Sequence, residues 1–274
     1  MPELPEVETT RRLLAPAVEG RTMLEVEVRH PRTARRHLNP NDVVDRLTGR
    51  LVLRLDRLGK FILGELDSDL TWVVHLGMSG RFDIARPGEA EEKHTHFVAR
   101  TDAGAEVRFI DPRTFGFVAV FTPAELASEL RLGRDALVDL PRSPQLHARL
   151  SGRKAPIKSL LLDQRLVAGL GNIYADEVLF RAGVRPTRVG SEISPAEVAK
   201  LRRAIGPILK AGIAAGGTSL STFGYRSPEG RTGEYRGRLH AYGREGEPCH
   251  RCGTPIERIV IGGRSSFYCP ECQT

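Results

Sequence analysis

The spacing of hydrophobic and polar positions divides this chain into stretches with different periods. Between about residues 22 and 121, apolar and polar residues alternate in MLEVEV and RLVLRLDRL, and the short runs KFILGEL, LTWVVHL, THFVARTD, EVRFID and FGFVAVF follow. Alternation with a period of two is typical of strands that bury one face, and several such runs separated by Gly or charged turns predict an antiparallel β-sandwich or barrel. Before them, residues 5–14 are predicted to form a short helix that begins near Pro5.

From 123 to about 215 the apolar positions recur at helical spacing. The predicted helices cover PAELASELRL, IKSLLLDQRL, NIYADEVLFRAG and SPAEVAKLRRAIGPILKAGIAAG. The segment 216–240 is rich in Gly, Ser and Arg, which predicts a mobile loop. The pattern therefore predicts an α+β protein of several domains, with divisions at 1–121, 122–234 and 235–274.

All four cysteines lie within the last 26 residues, in the pattern C-x2-C-x16-C-x2-C. Two CxxC pairs at this separation match a tetrahedral zinc site of four thiolates, and the sequence between them predicts a β-hairpin that turns at Gly262-Gly263. So small a unit depends on the metal for its stability, and four thiolates leave no open position for catalysis. The alternative is a pair of disulfides, which a cytoplasmic setting disfavours. We therefore predict one structural Zn2+, bound by Cys249, Cys252, Cys269 and Cys272.

The chain has a net positive charge, which bears on the kind of partner it binds. The chain carries 41 Lys and Arg against 34 Asp and Glu, a net charge of +7, and the basic residues cluster at 29–37, 50–60 and 226–244. Such clusters indicate either a polyanion such as nucleic acid or a solvated basic surface. Neither a secretion signal nor an apolar run of about 18 residues is found, so we expect a cytoplasmic protein.

Seven motifs follow one another along the chain: PELPEVET at the start, GKF around Lys60, HLGMSG at 75–80, DPRTFG at 111–116, GLGNIYADE at 169–177, AYGREGEPC at 241–249 and the four-cysteine hairpin. In this order the chain resembles the bacterial formamidopyrimidine-DNA glycosylases from end to end. Leu4 favours this branch, since the related endonuclease VIII proteins usually begin PEGPE. The resemblance implies an N-terminal catalytic β-sandwich, a helix–two-turn–helix DNA-binding domain with a lesion-capping loop, and a C-terminal zinc finger.

The implied activity is base-excision DNA repair on damaged double-stranded DNA. It combines removal of 8-oxoguanine and formamidopyrimidines with cleavage of the abasic site by β,δ-elimination. Two alternatives stay open, namely an endonuclease VIII-like glycosylase for oxidised pyrimidines and a non-catalytic protein that binds damaged DNA. The loop at 218–240 departs from the Gly-Lys-Pro-Gly-Tyr-Phe stretch of many members, so the ranking of damaged bases does not follow from the resemblance. We expect a monomer that associates with the nucleoid when bound to DNA.

The resemblance assigns the central chemistry to the first residues of the chain. Met1 before a small residue is normally removed, and Pro2 then offers a secondary amine whose pKa of about 8 leaves a useful neutral fraction. This amine attacks C1′ and forms a Schiff base, while the Glu3 carboxyl protonates the sugar ring oxygen. Glu3 has to keep its proton for this task, which burial or a neighbouring carboxylate such as Glu6 favours. The alternative is that Glu3, Glu6 and Glu8 only favour a helix N-terminus.

Four further residues are implied to contact DNA phosphates. Lys60 and Arg264 assist the elimination steps as catalytic residues, and His75 and Asn172 join them in binding the backbone. Without the motifs, Lys60 and Arg264 are ordinary surface cations, and Asn172 is a capping residue of the helix that follows it.

Three residues are implied to fill the space that a flipped nucleotide leaves in the duplex. Met78 and Phe115 are apolar wedges, and Arg113 offers donors to the orphaned cytosine. The alternative is that Met78 and Phe115 are core residues of neighbouring strands. Thr114 stands where many members carry a second arginine.

Overall fold

The computed structural model describes residues 2–220 and 225–274. The chain forms two compact units. The first comprises the residues up to Arg131 together with Ala215–Glu234, and the second comprises Leu132–Ala214 and Tyr235–Thr274. The fate of Met1 and the middle of the predicted capping loop, 221–224, lie outside the described residues. In the described part of the chain, no helix has the length and apolar character needed to cross a membrane.

The first unit is built on eight antiparallel strands in the order β5-β7-β6-β1-β2-β3-β4-β8. The start of β1 pairs with β2, and the rest of β1 pairs with β6, so β1 belongs to both halves of the sheet. This arrangement confirms the predicted antiparallel sandwich. The strands are β1 Arg21–Val28, β2 Leu51–Leu58, β3 Phe61–Leu66, β4 Thr71–His75, β5 Arg81–Ala85, β6 Thr95–Thr101, β7 Glu106–Ile110 and β8 Phe117–Phe121.

The core of the first unit lies between the two halves of the sheet and helix α1, Leu4–Val18. Its largest side chains are aromatic rings in mutual contact, Trp72, Phe82, Phe97 and Phe109. Helix α1 is longer than the predicted 5–14, because its buried apolar side chains continue to Val18. Two more helices belong to this unit, α2 Asn41–Leu47 and α3 Pro123–Glu129.

The second unit contains four helices and two small strand pairs. The helices are α4 Ser143–Leu150, α5 Ile157–Leu162, α6 Asn172–Ala182 and α7 Pro195–Ala214. The strands β9 Arg134–Asp135 and β10 Val167–Ala168 pair in parallel, and β11 Glu257–Ile261 and β12 Arg264–Tyr268 form the predicted terminal hairpin. Its two-residue turn is Gly262-Gly263, with φ of 56° and 74°, which is the left-handed backbone that such hairpin turns require.

Candidate active site

The start of helix α1 is buried rather than frayed. Pro2 is buried, and Glu3 and Glu6 are 2% and 1% exposed. The Glu3 backbone N–H donates to Glu6 Oε2 at 2.8 Å, which satisfies a donor that a helix start leaves without a partner in the helix. The Glu3–Glu6 contact therefore holds the first residues of α1 in one place.

Glu6 also connects α1 to the segment near residue 218. Its Oε1 accepts a hydrogen bond from the backbone N–H of Thr218 at 2.7 Å. Gly217 packs against the same side chain, with φ of +92°, and a Cβ at that position would lie 2.8 Å from Glu6 Cγ. With both carboxylate oxygens accepting backbone hydrogen bonds, Glu6 positions the chain around Pro2 and Glu3.

A cavity of about 560 Å³ opens beside Pro2 within the first unit. Its lining includes the segment from Met78 to Asp83, residues 92–94, residues 225–228 and Gly230. A flipped nucleotide needs an enclosure of this kind next to the group that attacks its sugar.

Lys60 lies in the two-residue turn between β2 and β3, where Leu58 pairs with Phe61. It is 6% exposed, and Gly59 before it takes a φ of +58°. The turn is held by Arg57, whose Nη1 donates to the carbonyl oxygen of Gly59 at 2.9 Å. Lys60 is thus a buried lysine on a fixed turn, and not one more surface cation.

Glu8 in helix α1 supports this turn through Arg57, a role that the sequence did not predict. Its carboxylate accepts hydrogen bonds from Arg11, Arg12 and Arg57, at 2.7 to 3.2 Å. Burial alone would raise the pKa of Glu8, but the hydrogen bonds from Arg11 and Arg12 lower it below its usual value. The i, i+3 and i, i+4 spacing to Arg11 and Arg12 was the available signal, whereas Arg57 is distant in sequence.

We expect the substitution Glu8→Gln to lower the free energy of unfolding by about 3 kcal/mol, because it removes the carboxylate charge that pairs with the nearly buried Arg57 guanidinium. Glu65→Gln is the matched control, since Glu65 pairs with Arg54 in an exposed ion pair worth under about 1 kcal/mol. Urea unfolding of the two variants measures the difference. Equal losses would contradict a supporting role for Glu8.

His75 ends β4 as a neutral hydrogen-bond donor. Burial, the Lys60 charge and the nearby Arg35 and Arg36 lower the pKa of His75 to about 4. The backbone N–H of Gly77 donates to Nδ1 at 3.1 Å, so the neutral ring carries its proton on Nε2. A neutral donor of this kind can bind a phosphate oxygen with the same strength throughout the physiological pH range.

Asp111 organises the turn that carries Arg113 and Phe115. Its buried carboxylate accepts from Ser79 Oγ at 2.5 Å, from the Gly116 N–H at 2.6 Å and from the Arg113 N–H at 3.3 Å. The turn also takes a φ of +52° at Thr114, an unfavourable conformation for a β-branched residue. Asp111 thereby fixes this turn to the neighbouring one at 77–79.

The two turns present Met78 and Phe115 to solvent. These side chains are 41% and 42% exposed, so the alternative that they are core residues is wrong. The guanidinium of Arg113 lies over the ring of Phe115 at 4.9 Å from its centroid. The structure therefore brings together the three residues that the resemblance assigns to filling the duplex.

Asn172 is the first residue of helix α6, so the alternative that it caps this helix is wrong. The N-cap is Gly171, and the Asn172 Nδ2 instead donates to the carbonyl oxygen of Ser265 at 3.0 Å. The geometric reason is that the Asn172 side chain points to β12 of the zinc hairpin, not to the N–H groups of its own helix. Asn172 and Arg264 are thus linked through one strand, at whose exposed first position Arg264 stands.

A buried ion pair secures the same strand. Lys158 Nζ lies 2.5 Å from Asp176 Oδ1 and donates to the Asn172 carbonyl oxygen at 2.9 Å. Asp176 also accepts from Ser266 Oγ and from the Phe267 N–H. Burial raises the pKa of Asp176 to about 6, against the opposing effect of Lys158, so the pair is ionised at neutral pH. The motif NIYADE contained Asp176, but no sequence signal marked Lys158 as its partner.

The four cysteines form one cluster in which all Sγ atoms lie within 4.8 Å of one another. Two of the separations are 4.0 Å, for Cys249 and Cys272, and 3.5 Å, for Cys252 and Cys269. A zinc tetrahedron with Zn–S bonds of about 2.3 Å has edges of about 3.8 Å, so the residues fit the metal. All four cysteines are free of disulfides. The cluster is a structural zinc site.

Removal of zinc is expected to unfold the hairpin 257–268, because the metal supplies most of the stability of so small a unit. Hydrogen exchange read by mass spectrometry should show rapid exchange in β11 and β12 after chelation, with β2 and β3 of the first unit still protected. Zn2+ should restore protection and Mg2+ should not. Unchanged protection of the hairpin in verified metal-free protein would contradict this assignment.

Three family models match successive parts of the chain. They are the formamidopyrimidine-DNA glycosylase N-terminal domain at residues 1–118, the formamidopyrimidine-DNA glycosylase H2TH domain at 132–224, and the zinc finger found in FPG and IleRS at 246–274.

Curated relatives and solved structures match over the full length. The formamidopyrimidine-DNA glycosylases of Ruegeria pomeroyi and Rhizorhabdus wittichii are 45% and 46% identical, each covering 100% of both chains. The crystal structure of MutM (FPG) from Thermus thermophilus shares 40% identity with a TM-score of 0.88, covering 99% of this chain and 98% of its own. Lactococcus lactis Fpg in complex with abasic-site DNA shares 31% identity with a TM-score of 0.90 and covers 100% of both chains.

Proposed function

Because this chain belongs to the formamidopyrimidine-DNA glycosylase family, we propose that it excises 8-oxoguanine and formamidopyrimidines from duplex DNA and cuts the strand at the resulting abasic site. The observation that carries the proposal is the placement of Pro2 and Glu3, buried together at the start of α1 beside a cavity of about 560 Å³. This reaction requires a nucleophile, an acid and a cavity that accommodates the base.

The proposed reaction begins at the Pro2 nitrogen. Its lone pair forms a bond to C1′, and the bond between C1′ and the base breaks, with its electron pair leaving on the base. The Pro2 nitrogen then loses its N–H proton, which neutralises the departed base. As the Glu3 carboxyl gives its proton to the ring oxygen, the C1′–O4′ bond breaks with its electron pair leaving on that oxygen, and the nitrogen lone pair forms the cationic iminium between Pro2 and C1′. A secondary amine yields this cation without a further proton. Loss of a proton from C2′ then expels the 3′ phosphate, and a second elimination expels the 5′ phosphate.

Phosphate contacts support these eliminations. Lys60 is proposed to bind the phosphate next to the lesion from its fixed turn, and the neutral His75 to donate through Nε2. Asn172 and Arg264, linked through β12, are proposed to hold the backbone from the second unit. Contacts of this kind fix the register of the protein on the duplex and carry no sequence information.

Met78, Arg113 and Phe115 are proposed to enter the duplex where the flipped nucleotide stood. Their exposure and their common support by Asp111 favour this role. The apolar side chains replace lost stacking, and Arg113 donates to the ring nitrogen and carbonyl oxygen of the orphaned cytosine.

Asp111→Asn is expected to weaken binding to a duplex with an abasic-site analogue by about tenfold, since an amide has one acceptor oxygen where the carboxylate has two, and it cannot accept from both the Gly116 N–H and the Arg113 N–H. Fluorescence anisotropy measures the affinity. Asp102→Asn, at an exposed position, is the control and should bind as the unchanged chain does. Equal affinities of all three proteins would contradict the positioning role of Asp111.

Borohydride trapping on several duplexes tests the proposed function. Reduction during the reaction should yield a covalent complex with 8-oxoguanine opposite cytosine and with preformed abasic sites. Faster trapping and excision on thymine-glycol duplexes would instead support the endonuclease VIII-like alternative. Tight binding without a covalent complex on any of these duplexes would support the non-catalytic alternative.

We also propose that the enzyme acts as a monomer on cytoplasmic, nucleoid DNA. Sedimentation should give a 30.2 kDa species alone and one protein per duplex in the complex. Two proteins per lesion duplex would contradict the monomer.

A further inference from the structure

We infer that the hydrogen bond between Tyr225 and Thr10 positions one wall of the base cavity and that Tyr225 is a positioning residue for base excision but not for strand cutting. The inference rests on the proposed function and deepens it. It concerns a part of the chain, the segment after residue 218, where the sequence departs from the common family pattern.

Helix α1 contacts both Thr218 and Tyr225. Glu6 Oε1 accepts from the Thr218 N–H at 2.7 Å, and the hydroxyl oxygens of Thr10 and Tyr225 lie 3.1 Å apart. Glu6 and Thr10 are four residues apart and therefore share a face of the helix. The helix that begins at the proposed nucleophile thus also fixes the positions of Thr218 and Tyr225.

Tyr225 begins the stretch 225–228, which lines the cavity. From Tyr225 the chain continues through Arg226 and Ser227 along the cavity that Pro2 also lines. Ser219 Oγ donates to the Tyr225 carbonyl oxygen at 2.6 Å and accepts from the Gly233 N–H. Ser219 therefore connects the backbone at Tyr225 to the backbone at Gly233. Movement of the Tyr225 ring would therefore move the wall.

The hydroxyl pair is suited to a fixed position. Thr10 is 0% and Tyr225 9% exposed, so each hydroxyl depends on the other for a partner that water would otherwise supply. Burial raises the pKa of Tyr225, and the phenol keeps its proton at physiological pH. The contact is thus present under all conditions in which the enzyme works.

The two reactions depend on this wall to different extents. Excision requires the damaged base to be held in the cavity while Pro2 attacks C1′, and a small displacement of a positioning wall can cost up to about 100-fold in rate. A preformed abasic site has no base to hold. Strand cutting at such a site depends on Pro2 and the phosphate contacts only.

Single-turnover kinetics on two duplexes test the inference. Tyr225→Phe and Thr10→Val are each expected to slow excision of 8-oxoguanine by about tenfold and to leave cutting of preformed abasic sites within twofold of the unchanged chain. Because both remove the same contact, the double variant should be no slower than either single one. The control is Thr9→Val, which removes a neighbouring hydroxyl that bonds only within α1, to the Pro5 carbonyl oxygen, and should leave both rates unchanged.

Three results would overturn the inference. They are equal slowing of excision and abasic-site cutting, which indicates a merely structural role, additive effects in the double variant, and unchanged excision in Tyr225→Phe. Each is distinguishable from failure of the proposed function, because in that case the unchanged chain itself would form no borohydride complex.

Discussion

A chain in which Pro2 is preceded by a retained residue is expected to excise no 8-oxoguanine and to cut no abasic site above background, a loss of about 10³-fold or more in both rates. The reason is that an acylated Pro2 nitrogen is an amide, whose lone pair is delocalised and which cannot become an iminium. Every later step of the proposed reaction depends on the bond between the Pro2 nitrogen and C1′.

The control is the affinity of the extended chain for DNA. A noncleavable Gly-Ser extension before Pro2 leaves the phosphate-binding and duplex-filling residues in place, so affinity for an abasic-analogue duplex should fall by no more than a few fold. Rates are measured under single-turnover conditions at saturating protein. Substantial strand cutting by a protein shown to be fully extended would mean that another amine performs the attack.

Glu3→Gln is expected to lower the rate of 8-oxoguanine excision by about 10²- to 10⁴-fold, the usual contribution of a general acid. Cutting of preformed abasic sites should fall by less than about fivefold. An abasic sugar already opens to its aldehyde in water, so it does not need the proton that Glu3 delivers to the ring oxygen. The variant keeps the size of the side chain and the Glu3 backbone N–H that donates to Glu6.

Glu65→Gln, at an exposed carboxylate distant from the cavity-lining residues, is the matched control and should leave both rates unchanged. Glycosylase and lyase rates are followed on the same labelled strand, with and without alkaline work-up. Equal loss of both activities in Glu3→Gln would refute the division of roles between Glu3 and Pro2.

The sequence predicted most of the strands because they are short apolar runs bounded by turns, and some of them, such as β1 and β2, also alternate between buried and exposed positions. The zinc hairpin was equally accessible, since its ligands and its Gly262-Gly263 turn are local signals. Short elements were missed. They are helices α2 and α4, of 7 and 8 residues, and strand β5 of 5 residues, RFDIA, which does not alternate cleanly.

The site was predicted less completely than the fold, and the omissions have one cause. Glu8, Asp111 and Asp176 each act on residues that a different element presents, namely Arg57, Ser79 and Lys158 respectively. Sequence spacing shows neighbours on one helix or strand, but it does not show which elements pack together. The hydrogen bond from Asn172 to Ser265 was missed for the same reason, because the two residues are 93 positions apart in the sequence.

The central claim is that the terminal nitrogen of Pro2 forms the covalent bond to the sugar. The most direct measurement is mass spectrometry of the borohydride-reduced complex after digestion with nuclease and trypsin. The account predicts that the sugar remnant is found on the peptide 2–11, attached at the Pro2 nitrogen, with Met1 absent from active protein. A remnant attached to Lys60 or another lysine, or Met1 fully retained in active enzyme, would contradict it.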